Sequence, residues 1–252
     1  MDSGFIGFPA GSVCARAVKL PILHDCEDFI AIAKLEGASG STIVKHMAGR
    51  SGSGKFADLS ISNPTVVYEL DDEISGVLIV AKEKTSAAKL RNSFGSQALR
   101  FTFEFLTFSS AVAKNKPVVC DLPIGQHWSD SRMVISTKTG KKSRTEFVFT
   151  ENIGDFELWT ANCTFLRHHQ IRLHAEECGL TIVGENLYSA AKGMGIAKKF
   201  AKGIQAGSHW SEKYFPLHLV SVECEDFPKI CAPPPKKFQS LVKLLRKYGC
   251  FG

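Results

Sequence analysis

Tyr68–Lys82 reads YELDDEISGVLIVAK, and far along the chain Leu166–His174 reads LRHHQIRLH. The first segment sets Asp71 ahead of Ser75-Gly76 and then a continuous apolar run, Val77 to Ala81, which predicts a buried strand. The second crowds Arg167, His168, His169, Gln170, Arg172 and His174 into one short stretch that turns helical from Gln170 to Glu177 and closes at Gly179. Neither has the spacing of a metal site, a phosphate loop or a dinucleotide fingerprint. An acid anchored beside a buried strand and an arginine-rich strand-to-helix junction suggest a carboxylate paired with a guanidinium at an RNA-binding surface. Taken singly, Asp71, Asp72 and Glu73 also read as a solvated acidic turn, and Arg167 and Arg172 as surface ion pairs of little weight.

Strand signals surround these segments. Arg100–Phe108, RFTFEFLTF, alternates aromatic with polar residues as a half-buried strand does. Pro21–Asp25, Phe29–Ala33, Met133–Ser136, Arg144–Thr150, Phe156–Phe165 and Leu217–Cys224 read as further strands. Thr42–Met47, Ser86–Phe94 (capped by Thr85) and Phe238–Tyr248, a basic amphipathic stretch, read as helices. Strands dominate and do not alternate strictly with helices. The fold class is therefore α+β, a mixed, largely antiparallel central sheet flanked by helices. Residues 1–19 read as an irregular lead-in and 20–252 as one domain.

Composition narrows the classes. The 252 residues carry a formal charge of +6, mild enough to permit a polyanionic partner without demanding one. No apolar run reaches the length of a membrane span, so no membrane partner is expected. Eight cysteines without a Cys-x-x-Cys pair read as buried small hydrophobes in a reducing compartment, which places the protein in the cytoplasm. Gly52-Ser53-Gly54-Lys55 lacks the spacing of a nucleotide loop, and His168, His169 and His174 lack that of a metal helix, so neither a nucleotide cofactor nor a metal is expected.

On these residues the chain resembles the RluA family of pseudouridine synthases. YELDDEISGVLIVAK is similar to that family's His-Arg-Leu-Asp-x-x-Thr-Ser-Gly-Leu-Leu-x-x-Ala-Lys, and LRHHQIRLHAEECGLTIVGENLY to its Gly-Arg-Thr-His-Gln-Ile-Arg-x-His…Gly-x-Pro-Ile-x-Gly-Asp-x-x-Tyr. Lys34 and Gly37 remain from its Asn-Lys-Pro-x-Gly. Gly140–Thr145 resembles its Gly-Lys-x-Ala-x-Thr, and Leu217-His218 its late Leu-His, so the likeness runs from about residue 20 to 228. The resemblance implies a catalytic domain alone, acting as a monomer and without cofactor to isomerise uridine to pseudouridine in structured RNA, ribosomal or transfer. Asp71 falls on the catalytic aspartate, Arg172 on the arginine that pairs with it, and Phe101 near the aromatic residue that stacks on the extruded base. Arg167, His169, Gln170, Lys34, Lys82, Lys198 and Lys199 are the implied RNA contacts.

The chain departs from the family pattern at Glu69, where the family has Arg, and at Tyr68, Ile74, Phe101 and Glu185. Glu69, Asp72 and Glu73 put like charge where phosphates approach. That charge favours a second class of function, a catalytically silent RNA-binding or ribosome-assembly protein on the same fold.

Overall fold

A computed structural model describes residues 4–49, 59–95, 98–130, 132–188 and 214–248. The chain divides into two compact units. The first comprises Met1–Phe101, Thr164–Leu166 and Leu219–Pro234, and the second Thr102–Cys163, Arg167–His218 and Pro235–Gly252.

In the first unit, β1 (Phe5–Phe8), β2 (Val18–Asp25), β3 (Phe29–Lys34) and β5 (Ser75–Ala81) lie side by side in that order. Each is antiparallel to the next, and β4 (Thr65–Val66) also pairs with β5. All seven residues of β5 are buried, so the unbroken apolar run reports a strand covered on both faces. Ile6, Phe8, Leu20, Ile30, Ile32, Leu78 and Val80 form one core with Ile43 and Met47 of α1 (Gly40–Ala48). Helix α2 (Lys84–Gly95) follows β5 and begins before Thr85, whose hydroxyl donates to the Glu83 carboxylate rather than capping the helix. The stretch read as an irregular lead-in holds β1, a four-residue strand too short and too mixed in character to show a period.

β5 also neighbours β12 (Leu217–Cys224), which from Leu219 onward belongs to this unit and pairs antiparallel with β13 (Phe227–Cys231). Here Gly76 acquires its reason. Its φ is +137°, and a Cβ would collide with the Leu219 backbone carbonyl oxygen and amide nitrogen, so only glycine lets the two strands approach.

In the second unit, β6 (Arg100–Phe108), β11 (Phe156–Cys163), β10 (Thr145–Ile153) and β7 (Val118–Cys120) are neighbours in that order. β10 and β11 form an antiparallel hairpin turned at Gly154, with a bulge between Phe149 and Glu151. A separate hairpin joins β8 (Ile124–Gln126) to β9 (Met133–Ile135). Helix α3 (Gln170–Glu177) matches its predicted limits, and α4 (Lys236–Tyr248) buries Phe238, Leu241, Val242 and Leu245 against Leu106, Phe156 and Leu158. The architecture is the mixed, largely antiparallel α+β fold that the strand pattern predicts. Among the described residues no helix is long and apolar enough to cross a membrane, and the seven described cysteines are free thiols.

Gly76→Ala should cost about 3 kcal/mol or more in urea unfolding, since both the backbone angle and the strand spacing oppose a side chain. A loss under about 1 kcal/mol would mean that β12 yields easily.

Candidate active site

The segment bearing Asp71 is a tight turn held from below by a lysine. Ile74 N–H donates to the Asp71 carbonyl at 3.0 Å, closing the turn, and Gly37 N–H donates to the Asp72 carbonyl at 2.7 Å. Lys34, at the end of β3, is 2% exposed, and its ammonium donates to the Ile74 carbonyl at 2.6 Å, Asp72 at 3.1 Å and Leu35 at 3.2 Å. An ammonium has three N–H donors; two go to this turn and the third to the Leu35 carbonyl beside it. Asp71 is 8% exposed, whereas Glu69, Asp72 and Glu73 face solvent. Three carboxylates thus stand outside and one is set into the protein by backbone geometry.

Burial lowers the Lys34 pKa to about 8, against the opposing pull of Asp72, Asp71 and Glu73. Lys34 was expected to contact RNA, and the structure corrects that reading: a buried ammonium with every donor used cannot also reach a phosphate. Lys82 is corrected in the same way. It is 7% exposed and its ammonium lies 2.7 Å from the Asp25 carboxylate.

Tyr68, which stands where the family has His, donates its hydroxyl to the Val77 carbonyl at 2.7 Å and straps the approach to the turn onto β5. Phe101 meets Tyr68 edge to face at a centroid distance of 4.9 Å. Phe101 is wholly buried, so in this conformation it offers no face to an incoming base, contrary to the stacking role expected of it.

In the second unit the LRHHQIRLH segment enters α3 through His169, whose φ of 56° and ψ of 16° are left-handed. A left-handed non-glycine residue is strained, and such strain concentrates at functional positions. The His169 Nδ1 lies 2.8 Å from the Tyr188 hydroxyl, and its ring stacks on His168 at 3.8 Å.

Arg172 is 3% exposed and forms a two-pronged pair with Glu185, Nε to Oε2 at 2.7 Å and an Nη nitrogen to Oε1 at 2.9 Å. Glu185 Oε1 also accepts the N–H groups of Leu187 and Tyr188, and the guanidinium lies over the Phe215 ring at 4.9 Å. Parallel N–H···O⁻ bonds of this kind fix a guanidinium in direction as well as place. The sequence coupled Arg172 to Asp71, and it did not foresee the Glu185 pairing. The only hint was that Glu185 stands where the family has Asp.

Gln170 is corrected from RNA contact to scaffold. Its Oε1 accepts Arg167 N–H, and its Nε2 donates to the Arg144 carbonyl and to Thr145 Oγ1, each at 3.1 Å. Thr145 Oγ1 lies 2.9 Å from His174 Nδ1, whose Nε2 faces the Leu122 carbonyl at 3.0 Å. A carbonyl can only accept, so Nε2 carries the proton and Nδ1 accepts the threonine hydroxyl; burial lowers the His174 pKa and favours that neutral form. The Gly-Lys-Lys-Ser-Arg-Thr and His-Gln-Ile-Arg motifs are thereby joined by one satisfied, buried network. Arg167 enters that network through its backbone N–H. Lys198 and Lys199, the remaining expected RNA contacts, and Gly52–Lys55 lie outside the described residues.

The RNA pseudouridylate synthase family profile matches residues 38–177, which contain the Asp71 turn, Phe101 and the His-Gln-Ile-Arg helix. The chain belongs to that family, a family of isomerases. It is 26% identical over 245 residues to an uncharacterized RNA pseudouridine synthase of Bacillus subtilis, YlyB, spanning 94% of this chain and 76% of that protein. It is 24% identical over 185 residues to ribosomal large subunit pseudouridine synthase C of Rickettsia bellii, spanning 70% of this chain and 59% of that one. Among solved structures, human RNA pseudouridylate synthase domain containing 4 shares the fold with a TM-score of 0.68 and 19% identity, covering 89% of this chain and 92% of that one.

Two expectations follow. Removing the acid of a buried pair strands its partner, so Glu185→Ala should lower stability by about 3–5 kcal/mol in chemical denaturation, and a loss below about 1 kcal/mol would show that Arg172 is well served without it. For Lys34, the folded-state pKa of about 8 lies below its ordinary value of 10.5. The unfolded chain therefore binds more protons between those values, and the lysine's contribution to stability rises with pH across about 8 to 10.5 and is flat below. Lys34→Met should remove that rise from unfolding curves taken at several pH values, and an identical slope in both proteins would contradict the assignment.

Proposed function

We propose that the chain isomerises uridine to pseudouridine in a structured RNA, ribosomal or transfer, with Asp71 as the carboxylate that acts on the sugar. The bond between N1 of the base and C1′ breaks, the base turns, and C5 of the base joins C1′; C5 then gives up its proton and N1 takes one up, so atoms balance without a cofactor. Supporting this reading is the Asp71 turn itself. A single carboxylate is sunk among exposed acids on a turn whose Asp72 and Ile74 carbonyls are held by a buried lysine, as preorganised catalytic groups are held by a locked surround. Arg172, fixed by Glu185, would supply a directed positive charge to the reaction. Arg167 and His169 remain candidate RNA contacts, since His169 sits at the strained entrance of α3. A reducing compartment such as the cytoplasm fits the seven described cysteines being free thiols, and the resemblance implies a monomer.

Exposed Glu69, where the family has Arg, favours the second reading of a silent RNA-binding protein. One experiment separates the two. Total RNA from cells lacking the protein is incubated with wild type or Asp71→Ala, and new pseudouridines are mapped by mass spectrometry. Wild type should create them and the variant should lose at least about a thousandfold in rate. Signal with both proteins, or with neither, would overturn the enzyme reading.

A further inference from the structure

Strand β7 and helix α3 of the second unit meet along one face. Cys120 closes β7 directly opposite Thr145 of β10, and opposed residues of an antiparallel pair point to the same side of the sheet. Thr145 bonds His174 of α3 from that side, so Cys120 faces the same helix. A second contact sets the register. His174 Nε2 donates to the Leu122 carbonyl at 3.0 Å. One helical turn on from His174, about 6 Å along the axis, stands Cys178, and two residues back from Leu122, about 6–7 Å along an extended chain, stands Cys120. The spacings match, and the two cysteines meet: the Cys120 thiol donates a hydrogen bond to the Cys178 sulfur.

The backbone around Cys178 is fixed. Its N–H donates to the His174 carbonyl at 3.1 Å, that of Gly179 to Glu176 at 2.9 Å and that of Leu180 to Ala175 at 2.8 Å. Gly179 takes the left-handed angle that this closing of a helix requires. Glu177 and Gly179 are exposed and Cys178 is half-buried, whereas Cys120 is buried. One sulfur is thus open to a small solute, and the other lies directly behind it.

The hydrogen bond from Cys120 lowers the Cys178 pKa, against the opposing effects of burial and of Glu177. Donating that bond, together with burial, raises the Cys120 pKa. Cys178 therefore holds the larger share of thiolate, the form that reacts with peroxides. Burial alone raises the Cys163 pKa, the pattern of an inert core thiol.

We propose that Cys120 and Cys178 are a reversible oxidation site for hydroperoxides, closing a disulfide that clamps α3 to β7. The Cys178 thiolate attacks a peroxide oxygen, the O–O bond breaks, and the departing oxygen takes up a proton, which leaves Cys178 as a sulfenic acid. The Cys120 sulfur then attacks the Cys178 sulfur, an S–S bond forms, and the sulfenic oxygen leaves as water with the Cys120 proton. The two thiols give up two electrons, the peroxide takes them, and a thiol reductant reverses the change. The clamped helix carries Arg172 in its first turn, so oxidation restrains the element that presents the guanidinium. The site requires no RNA and is independent of the activity proposed above.

The full chain is treated with near-stoichiometric hydrogen peroxide, remaining thiols are capped with N-ethylmaleimide, and peptides are mapped by mass spectrometry. A peptide pair joined through Cys120 and Cys178 should be the main product, formed at least about fivefold faster than any oxidation of exposed Cys231, and dithiothreitol should separate it. Cys120→Ser keeps a donor to Cys178 but cannot close the bond, so it should stop at a sulfenic acid that dimedone traps. Closing a long loop in native geometry should raise the melting temperature of wild type by about 5 °C or more, with no such rise in Cys178→Ser. Full capping of both thiols after treatment, or either one joined mainly to another cysteine, would overturn the pair. A Cys120–Cys178 bond without a higher melting temperature would mean that it forms in a distorted chain and would overturn the clamp. Both deciding measurements are made on wild type, so they hold even if a variant fails to fold.

Discussion

A buried ammonium organises the segment on which the proposed chemistry depends. Lys34 is unusual because its three donors go to backbone carbonyls, two of the Asp71 turn and one of Leu35, rather than to a carboxylate. Taking an ammonium out of water is costly, and burial accordingly lowers its pKa to about 8. What offsets that cost is the set of three bonds the ammonium donates to carbonyls, together with the field of Asp72, Asp71 and Glu73. Through the turn the lysine reaches function: Asp71 is placed by its backbone, and its backbone is placed by Lys34 and Gly37. Removing the lysine would take a donor from each of the Leu35, Asp72 and Ile74 carbonyls.

The second unit follows the same logic with different chemistry. Arg172 is directed by Glu185, which is in turn held by two backbone N–H groups, and the helix that carries Arg172 is seated by the Gln170, Thr145 and His174 network. Gln170, Thr145 and His174 enter the interior with their donors and acceptors assigned, which seats the helix although it begins at a left-handed histidine. Residues that resemble substrate contacts in the sequence, Gln170, Lys34 and Lys82, prove to be the scaffold that holds neighbouring groups in place.

Much of the fold could be read from the chain. The alternation in Arg100–Phe108, the apolar run of β5 and the closing Gly179 of α3 each report a local environment, so their limits came out at or near those observed. β1, β4, β7, β8 and β13, of two to five residues, show too little of a period to be read, whereas β9, equally short, is marked by its apolar Met133–Ile135 run. The candidate site is marked in the sequence at Asp71, Arg172 and Ser75-Gly76, whose residue types and spacing form motifs. The Arg172–Glu185 pair, the His169–Tyr188 bond and the inward turn of Lys34 depend on side-chain direction in three dimensions, and sequence spacing carries no such information. Phe101 shows the converse: an aromatic residue at the expected position, yet wholly buried against Tyr68.

The central claim is that Lys34 acts on catalysis by positioning the Asp71 turn and not by touching RNA. Joining a ring carbon of uracil to the sugar expels that carbon's hydrogen, so RNA tritiated at the carbon para to the glycosidic nitrogen's ring partner, C5, releases label into water with each turnover. Single-turnover release by Lys34→Met, measured at a temperature where the variant stays folded, should slow at least about tenfold at saturating RNA while RNA affinity changes by less than about twofold. An affinity loss of about tenfold with an unchanged saturated rate would contradict the account and return Lys34 to the RNA surface.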